Sequence, residues 1–159
     1  MTGERDAANV RVPPPLLVLA AIVGAAGLQR LWPLAPMVEV PAALRLSVGG
    51  MIIAVAVLVL GGWALALFRR GGQNPSPWMP TPTIETRGPY RVSRNPMYLG
   101  LVLVCCGAAI AKANLYLLAL TPIVAWLLQR LAIVPEETYL EAKFGEEYLA
   151  YKRRVRRWL

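Results

Sequence analysis

Residues 87–100, RGPYRVSRNPMYLG, place three arginines, two prolines, two tyrosines and two glycines in fourteen positions. Further along, Arg130 is followed by Pro135 and the acidic pair Glu136-Glu137. Carboxylates bind ammonium groups, and a guanidinium holds a carboxylate or phosphate through paired hydrogen bonds. Pro89 and Pro96 stiffen the loop, while Gly88 and Gly100 let backbone approach a partner closely. The chain has no histidine, so the commonest general base and metal ligand is missing. Cys105 and Cys106 are adjacent and lack zinc-ligand spacing; they read as packing residues, and no metal site is expected. There is no nucleotide-type phosphate loop and no Ser/His pair. Each group also has a plainer use. Arginines anchor the cytoplasmic side of a membrane protein, an acidic pair complements a helix dipole, and tyrosines sit at bilayer interfaces. On residue types alone the reaction stays open.

The elements that must position these groups are apolar. The 159 residues are 57% hydrophobic and 16% charged, whereas soluble domains carry about 25% charged residues. An all-α integral membrane protein of one domain, 1–159, with about four spans is the expected class. Val12 to Gln29 carry no charge, which places a first span at 12–30; at about 1.5 Å per residue this just crosses a core about 30 Å thick. A signal peptide is the rival reading, because Arg5 and Arg11 precede the apolar run. Leu46 to Phe68 is a 23-residue uncharged span. Its Gly49-Gly50 and Gly61-Gly62 pairs allow close helix packing, with a cofactor beside them as the lesser alternative. Residues 71–96 are polar and proline-rich, a cytoplasmic loop rather than a helix. Apolar stretches 97–111 and 113–131 form a hairpin around Lys112-Ala113-Asn114, with Pro122 bending the second arm. Pro135 then starts a new helical region, 135–157. There Leu140, Phe144, Tyr148, Tyr151, Val155 and Trp158 make an apolar stripe interrupted at Gly145. Lys143, Lys152, Arg153, Arg154, Arg156 and Arg157 occupy the other face, which predicts an amphipathic helix on a membrane surface.

The net charge is +8, and its distribution orients the chain. With four spans and both termini cytoplasmic, fourteen of the seventeen Lys and Arg residues fall inside, leaving Arg30, Arg45 and Lys112 outside. The arginine loop, the acidic pair and Arg130 then share the cytoplasmic face of a cell membrane, of bacterial inner-membrane type. A nucleic-acid role for YKRRVRRWL is not expected, because that stretch follows membrane spans rather than a soluble domain.

GPYRVSRNPMYLG followed by EETYLEAKFGEEYLAYKRRV resembles the isoprenylcysteine carboxyl methyltransferases, which are grouped with the phospholipid N-methyltransferases. The resemblance covers residues 80–157, with both motifs in order around a hydrophobic hairpin. It implies a membrane-embedded enzyme using S-adenosylmethionine. The cofactor residues it implies are Pro82, Thr83, Ile84, Glu85, Tyr90, Asn95, Pro96, Met97, Tyr98, Gly100 and Glu136. Glu136 would pair with the cofactor's amino group. Arg130 and Glu137 are the candidate catalytic groups, the first for an acceptor carboxylate and the second as a proton acceptor. Two positions depart from the family pattern. Asn95 stands where the family has histidine, and Ala132 where the isoprenylcysteine enzymes carry an arginine. Arg130 lies two residues away, roughly 200° around an ideal helix, and replaces that arginine only if the backbone unwinds near Pro135. The activity implied is methyl transfer to a lipophilic acceptor drawn from the bilayer, first a prenylcysteine-type carboxylate. A phospholipid amine or small thiol is the alternative acceptor, and a non-enzymatic lipid-binding scaffold the alternative class. The oligomeric state is left open.

Overall fold

The computed structural model describes residue 10 and residues 12–36, 39–72, 79 and 81–159. The expectations for Arg5, for Arg11 and for the prolines at 75, 77 and 80 lie outside the described residues. Helix α1 is Pro14–Leu31, α2 is Ala42–Arg70, α3 is Pro96–Lys112, α4 is Leu115–Phe144 and α5 is Glu146–Arg154. A 3₁₀ turn, Gly88–Arg91, lies in the connection between α2 and α3. The all-helical membrane fold expected from the apolar runs is borne out. Helices α1, α2 and α4 are long and apolar enough to cross a membrane, and α3 is a shorter apolar helix of 17 residues.

The core lies where α1, α3 and α4 meet, around Val18, Ala25, Cys105, Ala109, Leu117, Val124 and Leu128. On the outside, Leu19, Val23, Met51, Leu58, Ile123 and Trp126 are exposed, as side chains facing lipid should be. Helices α2 and α3 touch through glycine. A Cβ on Gly49 would lie 2.4 Å from the Gly107 carbonyl oxygen, so only a missing side chain permits this approach. The hairpin turn forms as its sequence indicates. Ala113 takes a left-handed φ of 48°. Asn114 caps α4 by accepting from the Leu117 N–H at 2.9 Å, and its amide donates to the Ala25 carbonyl at 3.1 Å. One residue thereby fixes the turn and ties it to α1.

Three expectations are corrected. First, Pro135 does not begin a new helix, because α4 runs through it. Residues Gln129–Ile133 widen into a π turn, and the Val134 N–H bonds back to the Gln129 carbonyl. The wide turn takes up the register change before the proline's missing donor is reached. The same device appears in α2 at Ala56–Trp63. Second, the helical region does not reach residue 157. Gly145, with φ 52°, separates α4 from α5, and α5 ends at Arg154. Third, the aromatic stripe is not laid on lipid. Tyr148 and Tyr151 are buried within the protein, and Tyr151 donates its hydroxyl to the Tyr90 carbonyl at 2.7 Å. Helix α5 therefore packs on the loop that precedes α3.

Candidate functional site

The π segment of α2, the 81–95 loop, the start of α3 and the second half of α4 enclose a cavity of about 580 Å³, a size typical of small-molecule sites. Its lining includes the polar side chains of Glu85, Tyr90, Asn95, Tyr98 and Glu136. It also includes the apolar side chains of Pro13, Pro14, Pro15, Leu65, Phe68, Leu101 and Leu140. Gly61, in the widened turn of α2, also lines it.

Each polar group has a defined mounting. Pro96 occupies the first turn of α3, where its missing N–H costs nothing, and Tyr98 follows one residue after Met97. The Tyr98 hydroxyl donates to Glu136 Oε2 at 2.9 Å across the gap between α3 and α4. No cation among the described residues forms an ion pair with Glu136. Tyr90 is held by the 3₁₀ turn, with its ring 5.6 Å from that of Phe68. Burial pushes the Tyr90 phenol well above its ordinary range, so it stays protonated.

Glu137, one residue on, faces a different environment. Its Oε1 accepts from Arg94 Nη2 at 2.9 Å, and its Oε2 accepts from Arg157 Nη2 at 2.7 Å. The Arg94 and Glu137 side chains are 7% and 5% exposed, so this ion pair is buried, with Arg157 as a second cation on the same carboxylate. Arg94 also donates from Nη1 to the carbonyls of Lys152 and Val155, at 3.0 and 2.9 Å. Glu137, expected as a candidate proton acceptor, is thus ion-paired to two guanidiniums. Both of its oxygens are engaged, and a carboxylate bonded by two guanidiniums is a weak base.

Glu85 sits at the loop's turn. It accepts from the Thr86 and Arg87 backbone N–H groups and from the Arg87 guanidinium at 2.8–2.9 Å. The Arg87 side-chain hydrogen bond holds the Glu85 carboxyl below its ordinary value of 4.5 despite its burial. A carboxyl depressed on folding stabilises the fold above its unfolded pKa, and that stability is lost as pH falls through the folded value. Thermal unfolding in detergent, scanned downward from pH 6, is expected to show stability falling below pH 4.5. The Glu85→Gln variant is expected to lose part of that slope. The effect is small and weakens with salt, because Arg87 is 64% exposed.

Of the residues expected at a site, Thr83, Ile84, Glu85, Tyr90, Asn95, Pro96, Met97, Tyr98, Glu136 and Glu137 line the cavity. Pro82 does not. Gly100 does not either, because its close approach is to another helix: a Cβ there would lie 3.1 Å from the Ala56 carbonyl. Arg130 lies outside the cavity lining and its side chain is exposed. The π turn that carries it does not rotate it inward. Ala132 is fully buried, packed with Val10, Tyr98 and Tyr139. Tyr139 and Leu140 on α4 and Pro13, Pro14 and Pro15 at the start of α1 also line the cavity, and residue types alone do not mark them as site residues.

A model described as phospholipid methyltransferase matches residues 44–147, and the chain belongs to that family. A stretch of 63 residues is 41% identical to an uncharacterized protein of Haemophilus influenzae (strain ATCC 51907 / DSM 11121 / KW20 / Rd), covering 40% of this chain and 100% of that one. No solved structure matches. The family is membrane-bound, and membership implies methyl transfer to a lipid-type substrate. Methyltransferases of this kind generally use S-adenosylmethionine.

Proposed function

We propose that the cavity binds S-adenosylmethionine at its polar side chains and a lipophilic acceptor against its apolar ones, and that the protein methylates that acceptor. The carrying observation is Glu136, a carboxylate at the cavity with a tyrosine as donor and no cation among the described residues paired to it. A cofactor bearing an ammonium group supplies that missing cation. The residues present fit the group: Glu136 would take the amino group, Asn95 and Tyr90 would flank the polar remainder, and Met97 and Tyr98 would pack on it. The cofactor supplies an electrophilic methyl group when bound. The chain's own part is to align and to exclude water. The apolar side chains of Leu65, Phe68, Leu101 and Leu140 exclude water from the cavity, and good positioning alone is worth about 7–11 kcal/mol of barrier. The basic bias of the loop side supports a cytoplasmic orientation for that side of the protein.

The acceptor best supported is an amine of a phospholipid-type molecule. A prenylcysteine-type carboxylate needs a guanidinium, but Arg94, the arginine lining the cavity, is committed to Glu137 and two carbonyls. Arg130 is exposed away from it. An amine reacts as the neutral base, and its proton leaves to water, since Glu85 and Glu137 are both engaged and Tyr90 stays protonated. The test is methyl transfer from labelled S-adenosylmethionine by protein in nanodiscs, offered phosphatidylethanolamine, a prenylcysteine and a small thiol in parallel. Label in the amine lipid is the expected result. Label only in the prenylcysteine overturns the acceptor assignment, and label in none overturns the enzyme reading.

A further inference from the structure

Residues 152–157 touch three consecutive residues of the loop before α3. The Arg94 N–H donates to the Arg156 carbonyl at 2.9 Å, and the Ser93 hydroxyl donates to the Arg157 carbonyl at 3.2 Å. The Asn95 amide nitrogen donates to that same Arg157 carbonyl at 3.1 Å, with Glu137 Oε1 at 3.5 Å beyond it. Both of those partners are acceptors only, so the NH₂ end of the Asn95 carboxamide must face them and Oδ1 must face the other way. Asn95 lines the cavity, and no donor among the described residues reaches its Oδ1. The Arg157 side chain locks the arrangement through Glu137, at 2.7 Å. Trp158 adds a second tether by donating from Nε1 to Gln129 Oε1 at 2.9 Å.

We propose that Arg157 is a positioning residue for cofactor recognition: its main-chain carbonyl and its ion pair with Glu137 hold the Asn95 carboxamide with Oδ1 toward the cavity, ready to accept a hydrogen bond from the cofactor. The inference rests on the reading that the cavity holds S-adenosylmethionine. It makes the segment after α5 part of the binding apparatus, although Arg157 itself lies outside the cavity lining.

The test uses the full chain in nanodiscs, with S-adenosylmethionine as the probe in isothermal titration. Wild type, Asn95→Ala, Arg157→Ala, Arg157→Lys and the Asn95→Ala/Arg157→Ala double variant are compared. Exchange of the Arg94 backbone amide and thermal unfolding are followed in parallel, so that a misfolded variant is recognised. Each alanine variant is expected to weaken binding about tenfold, the worth of one hydrogen bond to a polar ligand. The double variant is expected to be no weaker than the worse single one, because Arg157 acts through Asn95. Lysine at 157 keeps the charge and is expected to recover part of the loss, and Arg157→Ala is expected to speed exchange at Arg94. Additive losses in the double variant, or unchanged affinity in Arg157→Ala, overturn the proposal. If the wild type binds no S-adenosylmethionine, the cofactor reading fails. Unchanged Arg94 exchange in Arg157→Ala then also removes Arg157 from any role in ordering the loop.

Discussion

Replacing Glu136 with glutamine is expected to lower the affinity for S-adenosylmethionine about 10–100-fold, the range spanned by charge-assisted hydrogen bonds of 1.5–3 kcal/mol. The stability of the helices should barely change. Among the described residues Glu136 accepts a hydrogen bond from Tyr98, and the glutamine amide oxygen can accept it too. The variant therefore separates charge from shape: volume and hydrogen bonding to Tyr98 are preserved, and only the negative charge is lost. Tyr98→Phe provides the complement. It keeps the charge of Glu136 and frees one oxygen, so its loss of affinity should be smaller, on the order of a few-fold. Equilibrium titration of both variants checks the pair. A Glu136→Gln protein that binds like wild type removes Glu136 from the site.

The second large effect is on stability. Glu137→Ala leaves the Arg94 guanidinium, 7% exposed, without its carboxylate, and releases Arg157. Removing one partner of a buried ion pair costs about 3–5 kcal/mol, because the remaining charge is left desolvated and uncompensated. Thermal unfolding in detergent, followed by helical circular dichroism, should show a clear drop in the transition midpoint. The direct control changes both partners. Arg94→Met together with Glu137→Leu removes the buried charges as a pair, and it should recover a large part of the stability lost in Glu137→Ala. Recovery of stability without recovery of S-adenosylmethionine binding is the expected combination, since the network also fixes Asn95 and the residue next to Glu136. A Glu137→Ala protein as stable as wild type contradicts the buried network.

The contrast between these neighbours shows what the sequence could and could not disclose. Glu136 and Glu137 are identical in type and adjacent, and residue types alone assign neither a role. The structure separates them by about 100° of helix turn. Both touch the cavity, but Glu136 accepts from Tyr98 while Glu137 is held by two arginines. The spans were legible because uncharged runs such as Leu46 to Phe68 leave few alternatives in a bilayer. The Asn114 turn was legible because a short polar break between apolar arms demands a cap. Two features were not. Continuation of α4 through Pro135 depends on a π turn, which no local propensity announces. The inward return of Arg157 depends on a partner twenty residues earlier, so in the sequence it looked like one more cation on a basic face. The buried placement of Tyr148 and Tyr151 was hidden for a related reason. An apolar stripe reports that a face is covered, but not whether lipid or a loop covers it.

Arg130 illustrates the limit of reading by position. Two residues separate it from Ala132, and an unwound backbone would have brought it toward the acceptor. The backbone there does widen, yet Arg130 remains exposed while Ala132 is buried against Val10, Tyr98 and Tyr139. The proposed acceptor changes accordingly, from a carboxylate held by a guanidinium to an amine that needs none.

Isothermal titration of S-adenosylmethionine into the wild-type protein in nanodiscs tests the account most directly. Saturable binding to a single class of sites, displaced by S-adenosylhomocysteine and weakened by Glu136→Gln, is the expected result. No saturable binding by a protein whose helices are intact would contradict it.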